Sequence, residues 1–547
     1  MKTNRLFASA VMFAAGTALL VLAGCGSSSK NAEEQTTATT ATTATGGGTL
    51  RVNVSTTDVQ SIDPAIDYEN TGWAILDATC LKLVNYPDKT GLPGTIVTPE
   101  AATALPAVSS DGKTYTFTIR KGFKFNTGEE VTAQTFAHVI DRDLAPALQS
   151  PAVTFLSDVV GADAVVNKKA THASGVTVNG DKLTVELTRV APDFVARMAM
   201  NFFCAVPLKL PATPQETHMA SAGPYYIASR TPNRLIVVKS NPNYAGTRPH
   251  HVDQMSITTN TNQNQSLLQI KSGQADYDLG PLPPAAISGL AQQYGVNKSQ
   301  FFVHPANTIY YAALNMRRLD LDTRKAINYA IDRPGLARQA GALAGTPTDQ
   351  ILPPTLRGYE KLDLYPVNGP EVAKAKQLMH GRELTVNLYT TNDTIGEQQG
   401  QVFVNDLARI GISVKVKAMP FALLNRATGD PNEPYDIVVN GWFADYPDPV
   451  DFINTLLDGN NIHSQNNVNV PLMNVPKFNT AMREAAKLSG PPRYEAYGKL
   501  DSDIMREQAP WASMYNGNIR EFISPRVGCY LYQPAFGVMD LAAACLE

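Results

Sequence analysis

The sequence predicts an α/β protein of more than one lobe, and three observations lead there. At 547 residues the chain is about three to four times an ordinary domain, too long for one compact core. Hydrophobic residues at 44%, charged residues at 17%, 38 Gly and 37 Pro describe a turn-rich globular chain, not a disordered, collagenous or coiled-coil one. Short alternating stretches repeatedly give way to helical periodicity, most clearly between Glu383 and Asn440. The formal net charge of −3 offers no basic surplus for nucleic acid.

Taken in chain order, Lys2 and Arg5 precede an apolar run from Leu6 to Gly24, the layout of an export signal. The run ends in Leu22, Ala23, Gly24 and Cys25, which resembles the bacterial lipobox and implies cleavage before Cys25 and lipidation of its thiol. Residues 1–24 are then a signal peptide, and 25–48, with its TTATTATTATGGG run, a flexible tether too polar to bury itself. Thr114 to Arg120 alternates as a strand, and Thr132 to Leu144 sets Phe136, Val139, Ile140 and Leu144 on one helical face. Val176 to Val178 and Leu183 to Leu187 flank Asn179 and Gly180, a hairpin turn.

Four cysteines besides Cys25 are an even number for an oxidising compartment. The short loop favours Cys529 with Cys545, which leaves Cys80 with Cys204; the alternative is that some stay free and buried. From Glu383 a βαβ unit is expected: strand at Leu384, Val386 and Leu388, helix over Gln398 to Ile410, Gly411 at its end, and a strand at Ile412, Val414 and Val416. A further strand, Tyr435 to Asn440, is followed by Gly441, Trp442, Phe443, Ala444 and Asp445. Ligands in open α/β sheets sit beyond the carboxyl ends of strands, which places Asp445 where a ligand would bind.

No catalytic set emerges. Lys89 to Gly91 and Ser110 to Lys113 read as K-T-G and S-x-x-K, but in the wrong order for a penicillin-binding enzyme. No H-E-x-x-H or C-x-x-C is present, and His250, His251 and Asp253, like His138, Asp141 and Asp143, read as surface groups, so neither metal nor cofactor is expected.

Ile62-Asp63-Pro64, the stretch Tyr115 to Phe136, Gly223-Pro224-Tyr225, Asn241 to Tyr244, Ala313 to Arg333 and GWFADYPDP from Gly441 together resemble the extracytoplasmic solute-binding proteins of peptide and nickel ABC importers. The resemblance implies a two-lobed clamshell: lobe I over 49–90, 204–303 and 515–547, an extra mixed subdomain over 91–203, and lobe II over 304–514. It further implies a non-catalytic, monomeric receptor for short peptides that serves the transmembrane subunits of an ABC permease. Asp445 would receive the peptide's ammonium, the main chain around Gly441 and Phe443 would pair with its backbone, and Trp442 and Asn70 would line the site. A nickel chelate, haem or sugar is the alternative cargo, and an exported hydrolase the alternative class.

Overall fold

The computed structural model describes residues 47–55 and 57–547. The signal segment 1–24, Cys25 and the tether as far as residue 46 lie outside the described residues.

Two large sheets organise the chain. In the first, Thr49–Ser55 turns Leu50, Val52 and Val54 into the core and lies between Tyr277–Asp278 and Gln254–Thr261, parallel to both. Leu235–Ser240 and Tyr225–Thr231 extend this sheet antiparallel. A four-stranded antiparallel sheet is built from the 107–186 segment, and the helix Ala133–Leu144 packs on it. That helix begins where Thr132 and Thr135 form a capping box, and Phe136, Val139, Ile140 and Leu144 are buried as their spacing predicts. One continuous apolar core runs under both sheets, joining Leu50 and Val52 to Phe117 and Leu183, so the smaller sheet is fused to the first lobe.

The second sheet has six strands in the order Gly345–Pro347, Trp511–Phe522, Phe301–Leu314, Ile437–Phe443, Leu384–Thr391 and Ile412–Met419. The expected βαβ unit is there, its two strands parallel. Its helix spans Thr394–Ala408, starting earlier than the apolar spacing suggests because the Asp393 carboxylate accepts the Gly396 N–H. Apolar residues of one strand alternate between two cores, Ile309, Tyr311 and Ala313 on one face and Ala312 and Leu314 on the other. A sheet covered on both faces is a lobe in its own right.

Two long antiparallel strands of the second sheet, Phe301–Leu314 and Trp511–Phe522, reach from its core to apolar residues of the first lobe. At one end Phe301 and Phe522 pack with Ile270 and Ile287; at the other Ala313 faces Trp511. Their register breaks between Pro305 and Ile309, where proline has no N–H to give to the ladder. The lobe bounds implied by the resemblance, between 303 and 304 and between 514 and 515, fall within the residue ranges of these strands. Disulfides join Cys80 to Cys204 and Cys529 to Cys545, the pairing expected from loop length. The fold is a two-lobed α/β clamshell with an additional mixed subdomain on the first lobe.

Candidate ligand-binding cleft

The strand expected over Tyr435 to Asn440 runs instead from Ile437 to Phe443. Gly441 continues the ladder opposite Tyr310, with Trp442 opposite Ile309 and Phe443 opposite Thr308. Glycine is needed here for close approach: a Cβ at 441 would stand 2.9 Å from the Tyr310 ring. On the strand's other side, pairing with Leu384–Thr391 stops at Val438. From Val439 to Phe443 that edge has no strand partner among the described residues, although the Gly441 N–H is turned to the Asn440 side-chain oxygen at 2.8 Å, a local bond that an added chain would have to displace.

Asp445 stands just past this open edge. Its carboxylate accepts a hydrogen bond of 2.5 Å from the Tyr68 hydroxyl, which reaches across from the first lobe. Tyr68 is fixed by its ring contacts with Trp73 and Phe202, 5.8 and 5.4 Å between centroids. The Asp445 N–H donates to Asp451 Oδ2 at 2.9 Å, and the Trp442 indole N–H donates to the same oxygen at 3.2 Å. Asp451, buried at the start of the helix Val450–Leu457, therefore orients both Asp445 and Trp442.

The electrostatics of this cluster are unbalanced. Loss of water pushes the Asp445 carboxyl up to about 6, against the lowering effect of the hydrogen bond it accepts from Tyr68 and of the neighbouring Asp451 side chain. Burial, then the Asp445 charge, hold Asp451 well above the usual carboxylate range. No cation forms an ion pair with Asp445 among the described residues, and none contributes to its shift. A positive group entering here would meet a partly dehydrated carboxylate in need of a counter-charge.

The surrounding cavity, about 690 Å³, takes Tyr68, Asn70 and Trp73 from the first lobe and Tyr311, Phe421, Arg426 and the Asn440–Asp445 run from the second. Asn70, Gly441, Trp442, Phe443 and Asp445 all line it. The first-lobe side chain that bonds Asp445 is Tyr68, two residues before Asn70. Arg426, Asn425, Asn466 and Asn467 also line the cavity, and no local pattern in the sequence sets them apart from surface residues. Tyr446 does not line this cavity: it is buried and donates to Asp193 of the subdomain at 3.0 Å.

A cleft lined from both lobes, with a charged group beside an unpaired strand edge, is suited to holding a ligand. Oligopeptide-binding protein OppA of Bacillus subtilis (strain 168) is 23% identical over 94% of this chain and 97% of its own. The probable D,D-dipeptide-binding periplasmic protein DdpA of Escherichia coli (strain K12) is 26% identical over 73% of this chain and 75% of its own. Among solved structures, clavulanic acid biosynthesis oligopeptide binding protein 2 superposes with a TM-score of 0.84 at 24% identity, covering 92% of this chain and 96% of that one. The pattern of the bacterial extracellular solute-binding proteins, family 5 Middle, matches residues 97–464, and the chain belongs to that family. These relatives are binding proteins, not enzymes.

Proposed function

We propose that this protein captures short peptides outside the cytoplasm and delivers them to the transmembrane subunits of an ABC importer. The observation that carries the reading is Asp445, a partly dehydrated carboxylate without a cation partner among the described residues, placed next to an unpaired strand edge between two lobes. A free amino terminus supplies the missing charge, and an extended backbone supplies the missing strand. Neither contact depends on side chains. In this reading Asp445 holds the ammonium, the main chain of Gly441, Trp442 and Phe443 pairs with the peptide, and Asn70 closes on it from the first lobe. The names of the relatives, which bind oligopeptides and dipeptides, support the same cargo.

The lobe boundaries near residues 303 and 514 give the hinge, and capture is a population shift toward the closed arrangement driven by contacts to both lobes. Lipidation of Cys25 would tether a monomeric receptor to the membrane through the 25–48 arm. Native mass spectrometry of the purified protein tests the cargo: co-purifying free-amine peptides are the expected result, and a retained metal complex, porphyrin or glycan overturns it.

A further inference from the structure

Beyond Asp445 the cleft opens into a second cavity of about 860 Å³, which shares Asp445, Asn466 and Val468 with the first and no other lining residue. None of Val439–Phe443 lines it, so a chain laid along Gly441–Phe443 with its amine on Asp445 would leave it free beside the chain's amino end. Cations line it from both lobes. Arg189 enters from the subdomain, and His463, Arg483 and Lys487 from the second lobe. Arg483 and Lys487 are four residues apart on the helix Pro476–Lys487 and share one face.

Apart from Asp445, which the ligand's amine would take, the cavity's carboxylates are already engaged. Asp193 is bound by Arg197 at 3.1 Å and by the Tyr446 hydroxyl at 3.0 Å. Asp451 receives Trp442 and the Asp445 N–H, and Asp458 accepts the Asn460 N–H at 3.0 Å. The cations, by contrast, are loosely held. Lys487 pairs with Glu484 of its own helix, with both side chains more than half exposed, and Arg483 lies 3.9 Å from Asp458. Arg189, also more than half exposed, shares Asp158 with the buried Arg197. His463 has no ion-pair partner among the described residues. Exposed pairs of this kind contribute little and exchange readily. Positive groups on facing walls repel as the lobes approach, and an anion between them converts that repulsion into attraction from both sides.

We propose that this cavity receives the acidic side chain of the ligand's first residue, so that the protein prefers peptides beginning with Glu or Asp. The proposal rests on the peptide reading above, because it is the amine on Asp445 that places the first side chain at the mouth of this cavity.

Calorimetric titration of the purified protein with Glu-Ala-Ala, Ala-Ala-Ala and Lys-Ala-Ala tests it. Glu-Ala-Ala is expected to bind about tenfold tighter than Ala-Ala-Ala, the size of one charge-assisted contact, and Lys-Ala-Ala weaker than both. In the double variant Arg483→Gln, Lys487→Gln, whose substitutions are exposed, the advantage of Glu-Ala-Ala should vanish while Ala-Ala-Ala binds as before. Equal affinity of Glu-Ala-Ala and Ala-Ala-Ala for the unaltered protein, or an advantage that survives the double variant, overturns the proposal and leaves peptide binding intact. Binding of none of the three overturns the peptide reading itself.

Discussion

Asp445→Asn isolates the charge proposed to hold the ligand. The change keeps side-chain volume and leaves an amide oxygen to accept from Tyr68, while the N–H given to Asp451 belongs to the backbone and is untouched. What disappears is the negative charge, in a site where no cation partners Asp445 among the described residues. An ammonium bound there would be left desolvated and uncompensated, which costs about 2–4 kcal/mol, or about 30- to 1000-fold in Kd. The free protein should not suffer. An acid pushed up to about 6 binds protons more tightly folded than unfolded, so its contribution to stability falls as pH rises between the ordinary value and 6. Removing it should leave Tm at pH 8 unchanged or slightly raised. The assay is a cycle: Kd at pH 8 for a free-amine tripeptide and its N-acetylated form, on both proteins. Acetylation should weaken binding strongly to the unaltered protein and hardly at all to the variant. An equal acetylation penalty in both would refute the pairing of Asp445 with the ammonium.

Affinity should also depend on pH with a definite sign. Below about 6 the Asp445 carboxyl takes up a proton and loses its hold on an ammonium, so Kd should worsen about fivefold between pH 6 and pH 5 and flatten near pH 7. Its near neighbours Tyr68 and Asp451 are both shifted upward, which keeps Tyr68 a donor across this range; a flat profile between pH 5 and 7 contradicts the assignment. Gly441→Ala drives a Cβ to 2.9 Å from the Tyr310 ring and should destabilise the fold by about 1–3 kcal/mol in urea unfolding. Cys25→Ser should release the protein from the membrane fraction and abolish palmitate labelling; labelling that persists excludes Cys25 as the lipidated residue.

The parts of this fold legible in the sequence are those governed by local periodicity. The helix Ala133–Leu144 and the parallel strands Leu384–Thr391 and Ile412–Met419 announce themselves because each buries one face, which forces apolar residues onto a 3.6- or 2-residue repeat. The end of Ile437–Phe443 was hidden because glycine breaks strands in general, whereas here its missing side chain admits the Tyr310 ring from the neighbouring strand. Asp445 could be reached from the rule that ligands gather at strand ends, but Arg426 and Asn466 could not. Only folding brings them to the cavity, and nothing adjacent in the chain differs from ordinary solvent-exposed sequence. Tyr68 falls between these cases: it lies two residues before Asn70, to which the family resemblance pointed, but its bond to Asp445, 377 residues along the chain, appears only in the folded structure.

That contact bears on how a clamshell can be selective and yet release its cargo. Two hydrogen bonds pass between the first lobe or its subdomain and the Tyr446 segment: Tyr68 to Asp445, and Tyr446 to Asp193. Both end on carboxylates, and Asp193 is already satisfied by Arg197, which holds it below its ordinary range. Asp445 is not satisfied. Closure without a ligand therefore gains the Tyr68 bond but keeps an ionised carboxylate short of water and of a counter-charge, and that cost favours opening. A bound ammonium reverses the balance at that one atom while Tyr68 stays in place as a second donor. Replacing Tyr68 with Phe should then weaken binding by about 1–2 kcal/mol, the worth of one charge-assisted hydrogen bond, and by far less than Asp445→Asn. A Tyr68→Phe variant as impaired as Asp445→Asn would mean that the bridge between lobes, and not the capture of charge, sets the affinity.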